Sequence, residues 1–170
     1  ASLNFDGTDD YVDLGNVNDV GTNDFSLSGW INISDISNDK YIISKGAANS
    51  LCTTNGSKGY WIRINTGGQV GFKLNTGSAQ SCVSSASTAT ISISTWNHIA
   101  FVADRDGNAH TYLNGKLIDS TNISSHTNTL DNSQSLRIGT ISNSTSNPFP
   151  GQIDEVKIYN YALTPEQVKL

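Results

Sequence analysis

Apolar and polar residues alternate with a period of two in short runs along this chain, and turn-forming residues break each run. That pattern suits half-buried strands and cannot wrap one face of a helix. In the stretch from Asp24 to Ile33, the residues Phe25, Leu27, Gly29, Ile31 and Ile33 share one face. Tyr60, Ile62 and Ile64 alternate with Trp61 and Arg63; Val70, Phe72 and Leu74 with Gly71, Lys73 and Asn75. Ile99, Phe101 and Ala103 alternate with His98, Ala100 and Val102.

The breaks carry their own information. Thr66-Gly67-Gly68 and Asp104 through Asn108 read as turns. Asn114-Gly115, set between Tyr112-Leu113 and Lys116-Leu117, predicts a two-residue hairpin, because both residues tolerate the positive φ of a type I′ turn. Helix is predicted only near the end: Thr164 suits an N-cap, Pro165 the first helical position, and Gln167 the reciprocal capping bond. The expected architecture is all-β, two packed antiparallel sheets with a short C-terminal helical turn. Without an internal repeat or a linker, residues 1–170 read as one domain. Residues 46–58, 76–90 and 142–150 are too polar for core strands and read as long loops, where binding function tends to sit.

Charged residues make up 15% of the chain, the net charge is −5, and the ten Lys and Arg are scattered. A surface rich in Ser, Thr, Asn and Gly but lacking a basic patch argues against nucleic acid and anionic membranes, and suits uncharged polysaccharide or Ca²⁺. No apolar run approaches the ~20 residues of a membrane span. The two cysteines, Cys52 and Cys82, lie in polar segments without a zinc-type spacing. One disulfide pinning two loops is expected, with two free thiols as the alternative; a disulfide implies an oxidising, extracellular compartment. Four Asn-x-Ser/Thr sequons (Asn32, Asn55, Asn122, Asn143) agree weakly with it. The chain opens at Ala1 and stops just inside the apparent helix, so it is expected to be a module of a longer secreted or cell-surface protein.

Several segments, in order, carry a resemblance. The opening Leu3 to Val12 and the runs Phe25 to Trp30, Ile43 to Gly46 and Gly59 to Ile64 come first. Trp96 to Val102, Tyr112 to Lys116, Leu136 to Gly139 and the closing Gly151 to Leu163 follow. Together they resemble laminin-G-like jelly rolls of the concanavalin A-like lectin/glucanase superfamily. The resemblance implies that the first and last strands pair. It also implies a structural Ca²⁺ near them, carried over to Asp6 and Asp154 with Asp9 as a weaker third. Two clustered carboxylates would repel without a cation between them. The alternative is turn chemistry, since Asp-Gly and Asp-Asp side chains bond local amides.

A sugar binder needs an aromatic platform beside planar polar groups. Trp61 and Arg63 lie opposite their strand's core face, as do Lys73 and His98 on theirs, and the four together are expected to line the outer surface of one sheet. The competing reading is that a loop covers Trp61. No catalytic residue is assigned. The Glu-x-Asp-x-x-Glu run of the superfamily's glycosidases is missing, Asp154 and Glu155 should alternate faces, and His98, His110 and Tyr112 lack the lyases' flanking motifs. The expectation is therefore a non-catalytic, monomeric module that binds a glycan; the alternative is an adhesion or spacer domain with a protein partner.

Overall fold

The computed structural model describes residues 1–46, 58–77, 82–142, 144 and 146–169. Among these residues, twelve strands form two six-stranded antiparallel sheets. The first sheet runs in the order β1 (Leu3–Asp6), β12 (Pro150–Tyr159), β3 (Phe25–Ile33), β8 (Asn97–Ala103), β9 (Asn108–Leu113), β10 (Lys116–Asn122). The second runs β2 (Val12–Asp13), β11 (Leu136–Ile138), β4 (Lys40–Gly46), β5 (Gly59–Ile64), β6 (Gln69–Asn75), β7 (Cys82–Thr90). One short helix, α1 (Pro165–Val168), follows β12.

The alternation decides what faces inward. Phe25, Leu27, Ile31 and Ile33 of β3 meet Tyr60, Ile62, Phe72 and Leu74 of β5 and β6 in one core. Aromatic rings join the two layers: Phe25 lies 4.9 Å from Tyr60 and Phe101 lies 4.8 Å from Phe72, between ring centroids. Such pairs add to the free energy of burying large apolar side chains. β8 is buried on both faces, because Ala100 and Val102 on its far side pack with Tyr112, Leu163 and Val168. The C-terminal segment thus covers part of the first sheet's outer surface.

Several local expectations hold. β1 pairs with β12, Leu3 opposite Ile153 and Asp6 opposite Pro150. Asn114 and Gly115 both take positive φ, 50° and 75°, and close the β9–β10 hairpin with Leu113 opposite Lys116. Thr164 caps α1, and Gln167 returns its side chain to the Thr164 N–H.

One expectation fails. Residues 82–90, read as part of a loop, form the edge strand β7, paired with β6. Val83 packs against the core, but the other inward positions hold serines: Ser85 opposite Phe72, and Ser87, which is buried. Its Ser, Ala and Thr residues therefore carry little apolar signal. Cys82 opens this strand; Cys52 lies outside the described residues, as does most of 46–58.

Candidate functional site

The outer face of the second sheet presents a continuous row. Asp13, Arg137, Ser44, Trp61, Lys73 and Ser84 lie in register across all six strands. A neighbouring row holds Tyr41, Arg63, Gly71 and Ala86. Trp61, Arg63 and Lys73 are thus brought together as expected, but not as an open platform. Trp61 is 1% exposed and Lys73 is closed to solvent. The edge of Tyr41 meets the Trp61 ring at 5.7 Å, the Arg63 guanidinium lies over it at 4.8 Å, and Ile141 packs with both rings. Asp39 pairs with Arg63. Burial, with the Arg63 charge adding to it, holds the Lys73 ammonium down to about 8. Three donors on this face, Trp61 Nε1, Arg63 Nε and Asn75 Nδ2, are buried without a hydrogen-bond partner.

His98 does not join them. It belongs to β8, in the first sheet, with its ring 5.3 Å from that of Trp30. Outward orientation is a local property, whereas the choice of sheet follows from long-range pairing.

The acidic residues also rearrange. Asp6 stands opposite Pro150, four residues before Asp154 on β12, which separates the two by about 13 Å at the rise of a strand. Asp154 instead faces Trp30 across β3 and accepts the Glu155 N–H. A β-bulge between Asp154 and Lys157, with Glu155 at φ 47°, breaks the simple alternation expected there. The carboxylates that do meet are Asp6, Asp9 and Asp10; one oxygen from each lies within 4.8 Å of the other two. Asp6 accepts the Thr8 N–H and Asp10 the Asp6 N–H, so turn bonding accounts for part of this cluster. Their hard oxygens suit Ca²⁺, and among the described residues no Lys or Arg forms an ion pair with them.

Sequence reasoning missed a groove lined by amide, carboxylate and phenol side chains. It lies where the loop between β2 and β3 meets the end of β12, and it encloses about 440 Å³. Asn18, Asp19, Asn23 and Asp24 line one side; Tyr159, Asn160 and Tyr161 line the other. The two tyrosines meet edge to face at 5.7 Å, and Tyr161 remains 46% exposed.

The walls are fixed from behind. Lys45, buried under the loop, reaches Asp19 at 3.2 Å, Asn16 Oδ1 at 2.6 Å and the Gln134 carbonyl at 3.0 Å. Tyr60 Oη donates to the Asn18 carbonyl, and the Arg105 N–H donates to Asp24 Oδ1. The residues were visible in sequence, but the two segments are more than 130 positions apart, and the β3–β12 pairing brings them together.

The sequence profile of the laminin-G type in the concanavalin A-like lectin/glucanases superfamily matches residues 6–169. The chain belongs to that superfamily. No curated protein sequence matches it. Among solved structures, the Ruminococcus gnavus IT-sialidase CBM40 bound to α2,3-sialyllactose superposes with a TM-score of 0.70 at 16% identity, covering 99% of this chain and 96% of that one. Domain 4 of AbnA, an extracellular arabinanase from Geobacillus stearothermophilus, in complex with arabinotriose, gives 0.59 at 24% identity, over 87% and 65%. The binding domain of Paraclostridial Mosquitocidal Protein 1 gives 0.71 at 18% identity, over 97% of this chain and 41% of that one. At these identities the likeness establishes the shared jelly-roll fold of this superfamily member.

Proposed function

We propose that this domain is a non-catalytic glycan-binding module whose ligand is an uncharged polysaccharide or oligosaccharide seated in the loop groove. The carrying observation is the exposed Tyr161 ring beside three asparagine amides and two aspartates in one depression. A sugar offers an apolar C–H face, which a phenol ring covers, and a rim of hydroxyls. Asparagine amides can both donate to and accept from those hydroxyls, and carboxylates accept from them. Asp19 and Asp24 put negative charge on the rim, which disfavours an anionic glycan. The preorganised loop reduces the ordering cost of binding. Solved neighbours that hold sialyllactose and arabinotriose support the glycan class, and the description of the mosquitocidal-protein neighbour as a binding domain supports a non-catalytic role.

A glycan array, read with and without Ca²⁺, tests this. Binding to neutral glycans that is lost in Tyr161→Ala supports the groove. Retention of a protein partner with no glycan bound would favour the adhesion alternative.

A second reading rests on the unpartnered donors of Trp61, Arg63 and Asn75, since buried donors left unpaired call for acceptors. On that reading a glycan oxygen meets them at the outer face of the second sheet, with Lys73 beside them. Trp61→Phe separates the two sites, because it removes one donor and leaves the groove untouched.

The same reading includes a Ca²⁺ braced by Asp6, Asp9 and Asp10, a Cys52–Cys82 disulfide, and an extracellular, monomeric module within a longer protein. Titrating chelator-treated protein with Ca²⁺ checks the first: a rise in melting temperature, absent in Asp9→Asn, is expected. Peptide mapping without reduction checks the second, and gel filtration checks the monomer.

A further inference from the structure

On the outer face of the first sheet, amide side chains from three strands stand in one row with a tryptophan. Asn4 of β1 is opposite Gln152 of β12, which is opposite Asn32 of β3. Trp96 continues the row. Ile31 pairs with Asn97, and the Ile33 carbonyl accepts the Ser94 N–H at 2.7 Å, so the chain between them runs alongside Asn32. The neighbours Phe5, Ile153, Ile31 and Ile33 are buried in the core, which turns Asn4, Gln152 and Asn32 outward. Trp96 is 41% exposed. Trp30, half-buried, follows two residues from Asn32 on the same face and stands diagonal to Trp96.

Two observations set this row apart. Elsewhere side-chain amides complete the fold: Asn65 bonds Gln69, Asn97 bonds the Ser92 carbonyl and Asn132 the Leu130 carbonyl. Those of Asn4, Gln152 and Asn32 have no hydrogen-bond partner among the described residues. None of the three is buried, so water holds their bonds and ligand hydroxyls can replace it. The second observation is charge. The row has none, and carboxylates flank it on opposite sides: Asp6 two residues from Asn4 on β1, and Asp154 two from Gln152 on β12. Among the described residues neither forms an ion pair. Such margins repel a polyanion and leave a neutral chain unhindered.

The row is also open. The C-terminal segment packs on Ala100 and Val102, and the pocket beside α1 takes in Trp30 and His98 but no member of the row. An open face gives a single ring few contacts, too few to offset the cost of association. Three strand spacings of ~4.8 Å, roughly 14 Å in all, offer contacts to several linked rings.

We propose that this row binds an uncharged polysaccharide lying across the strands. One ring stacks on Trp96, and hydroxyls along the chain bond the amides of Asn32, Gln152 and Asn4. Gln152 lies seven residues along β12 from Tyr159 of the loop groove, about 20 Å away, so this site stands whether or not the groove binds anything.

The test is native electrophoresis through gels holding a soluble β-glucan, xylan, mannan, galactan or arabinan, with polygalacturonate as the anionic polymer. The protein is made in a bacterial host, which leaves the Asn32 sequon unmodified, and carries Tyr161→Ala throughout, which disables the groove. The expected result is retardation by at least one neutral polymer. Trp96→Ala and Gln152→Ala should each weaken that affinity about tenfold or more, and both keep the net charge that sets mobility in a polymer-free gel. Two variants are used so that misfolding of one leaves the other as a readout. By calorimetry, affinity for fragments of the same polymer should rise with their length. No retardation by any neutral polymer, retardation by polygalacturonate alone, or equal affinity in the folded variants would overturn the proposal. So would a dimer in gel filtration that Trp96→Ala dissolves, which would give the row to a second copy of this chain.

Discussion

Ser26 and Tyr161, 135 positions apart, are joined by a 2.9 Å hydrogen bond from the buried Ser26 hydroxyl to the Tyr161 carbonyl. Ser26 Oγ in turn accepts the Leu163 N–H at 3.0 Å. One serine thus fixes the chain where it leaves β12 and sets the exposed tyrosine at the groove. Ser26→Ala should cost about 1–3 kcal/mol, because two backbone groups lose their partner at a closed site. Urea denaturation measures that loss, and glycan affinity should fall with it.

Trp61 is structural unless its unpartnered donor meets a ligand. Trp61→Ala should destabilise the fold by about 3–5 kcal/mol, the range for emptying a large aromatic site. Trp61→Phe should cost much less, because it keeps a ring beneath Arg63 and against Tyr41 while removing a buried N–H that has no partner. If the groove is the binding site, glycan affinity in Trp61→Phe equals that of the parent by calorimetry. A marked fall would move the site to the second sheet.

Lys45 holds the groove's loop from inside. Lys45→Ala removes bonds to Asn16, Gln134 and Asp19, each charge-assisted, and should lower stability by about 2 kcal/mol, with Asp19 itself half exposed. Because the loop carries Asn18 and Asp19, binding should weaken more than a surface change would explain. Amide exchange over residues 14–24 should accelerate in this variant.

His98 makes stability depend on pH. Lys157 and Glu155 from β12 and Lys169, just after α1, are the charged groups around it. Its folded pKa lies below the ordinary 6.5, chiefly through burial, so between those two values the unfolded chain binds more protons than the folded one. Stability should therefore fall as pH drops through about 6.5 and level off below the folded value. His98→Phe should flatten that part of a plot of melting temperature against pH; an unchanged slope would assign the dependence to other groups.

Much of the fold was legible because strand signals are local. A period of two in β3, β5, β6 and β8 names the inward residues before any partner is known, and Phe25, Ile62, Phe72 and Phe101 all lie in the core as that pattern requires. Asn114-Gly115 and Thr164-Pro165 likewise act within a few residues. The edge strand β7 escaped notice because its small, mostly polar residues look like loop.

The sites depend on register and pairing, which no short window contains. Alternation pointed Trp61 and His98 outward, but hydrogen bonding between distant strands put them on opposite layers. It also put Asp154 about four residues along β12 from Asp6's partner, and left Asp10 as the third carboxylate. The sequence by itself determined which residues form strands and which face the core, because side-chain direction in a strand repeats every two residues. Only the tertiary structure decided which outward residues meet, because each meeting is set by one long-range register and shifts wherever a bulge adds a residue.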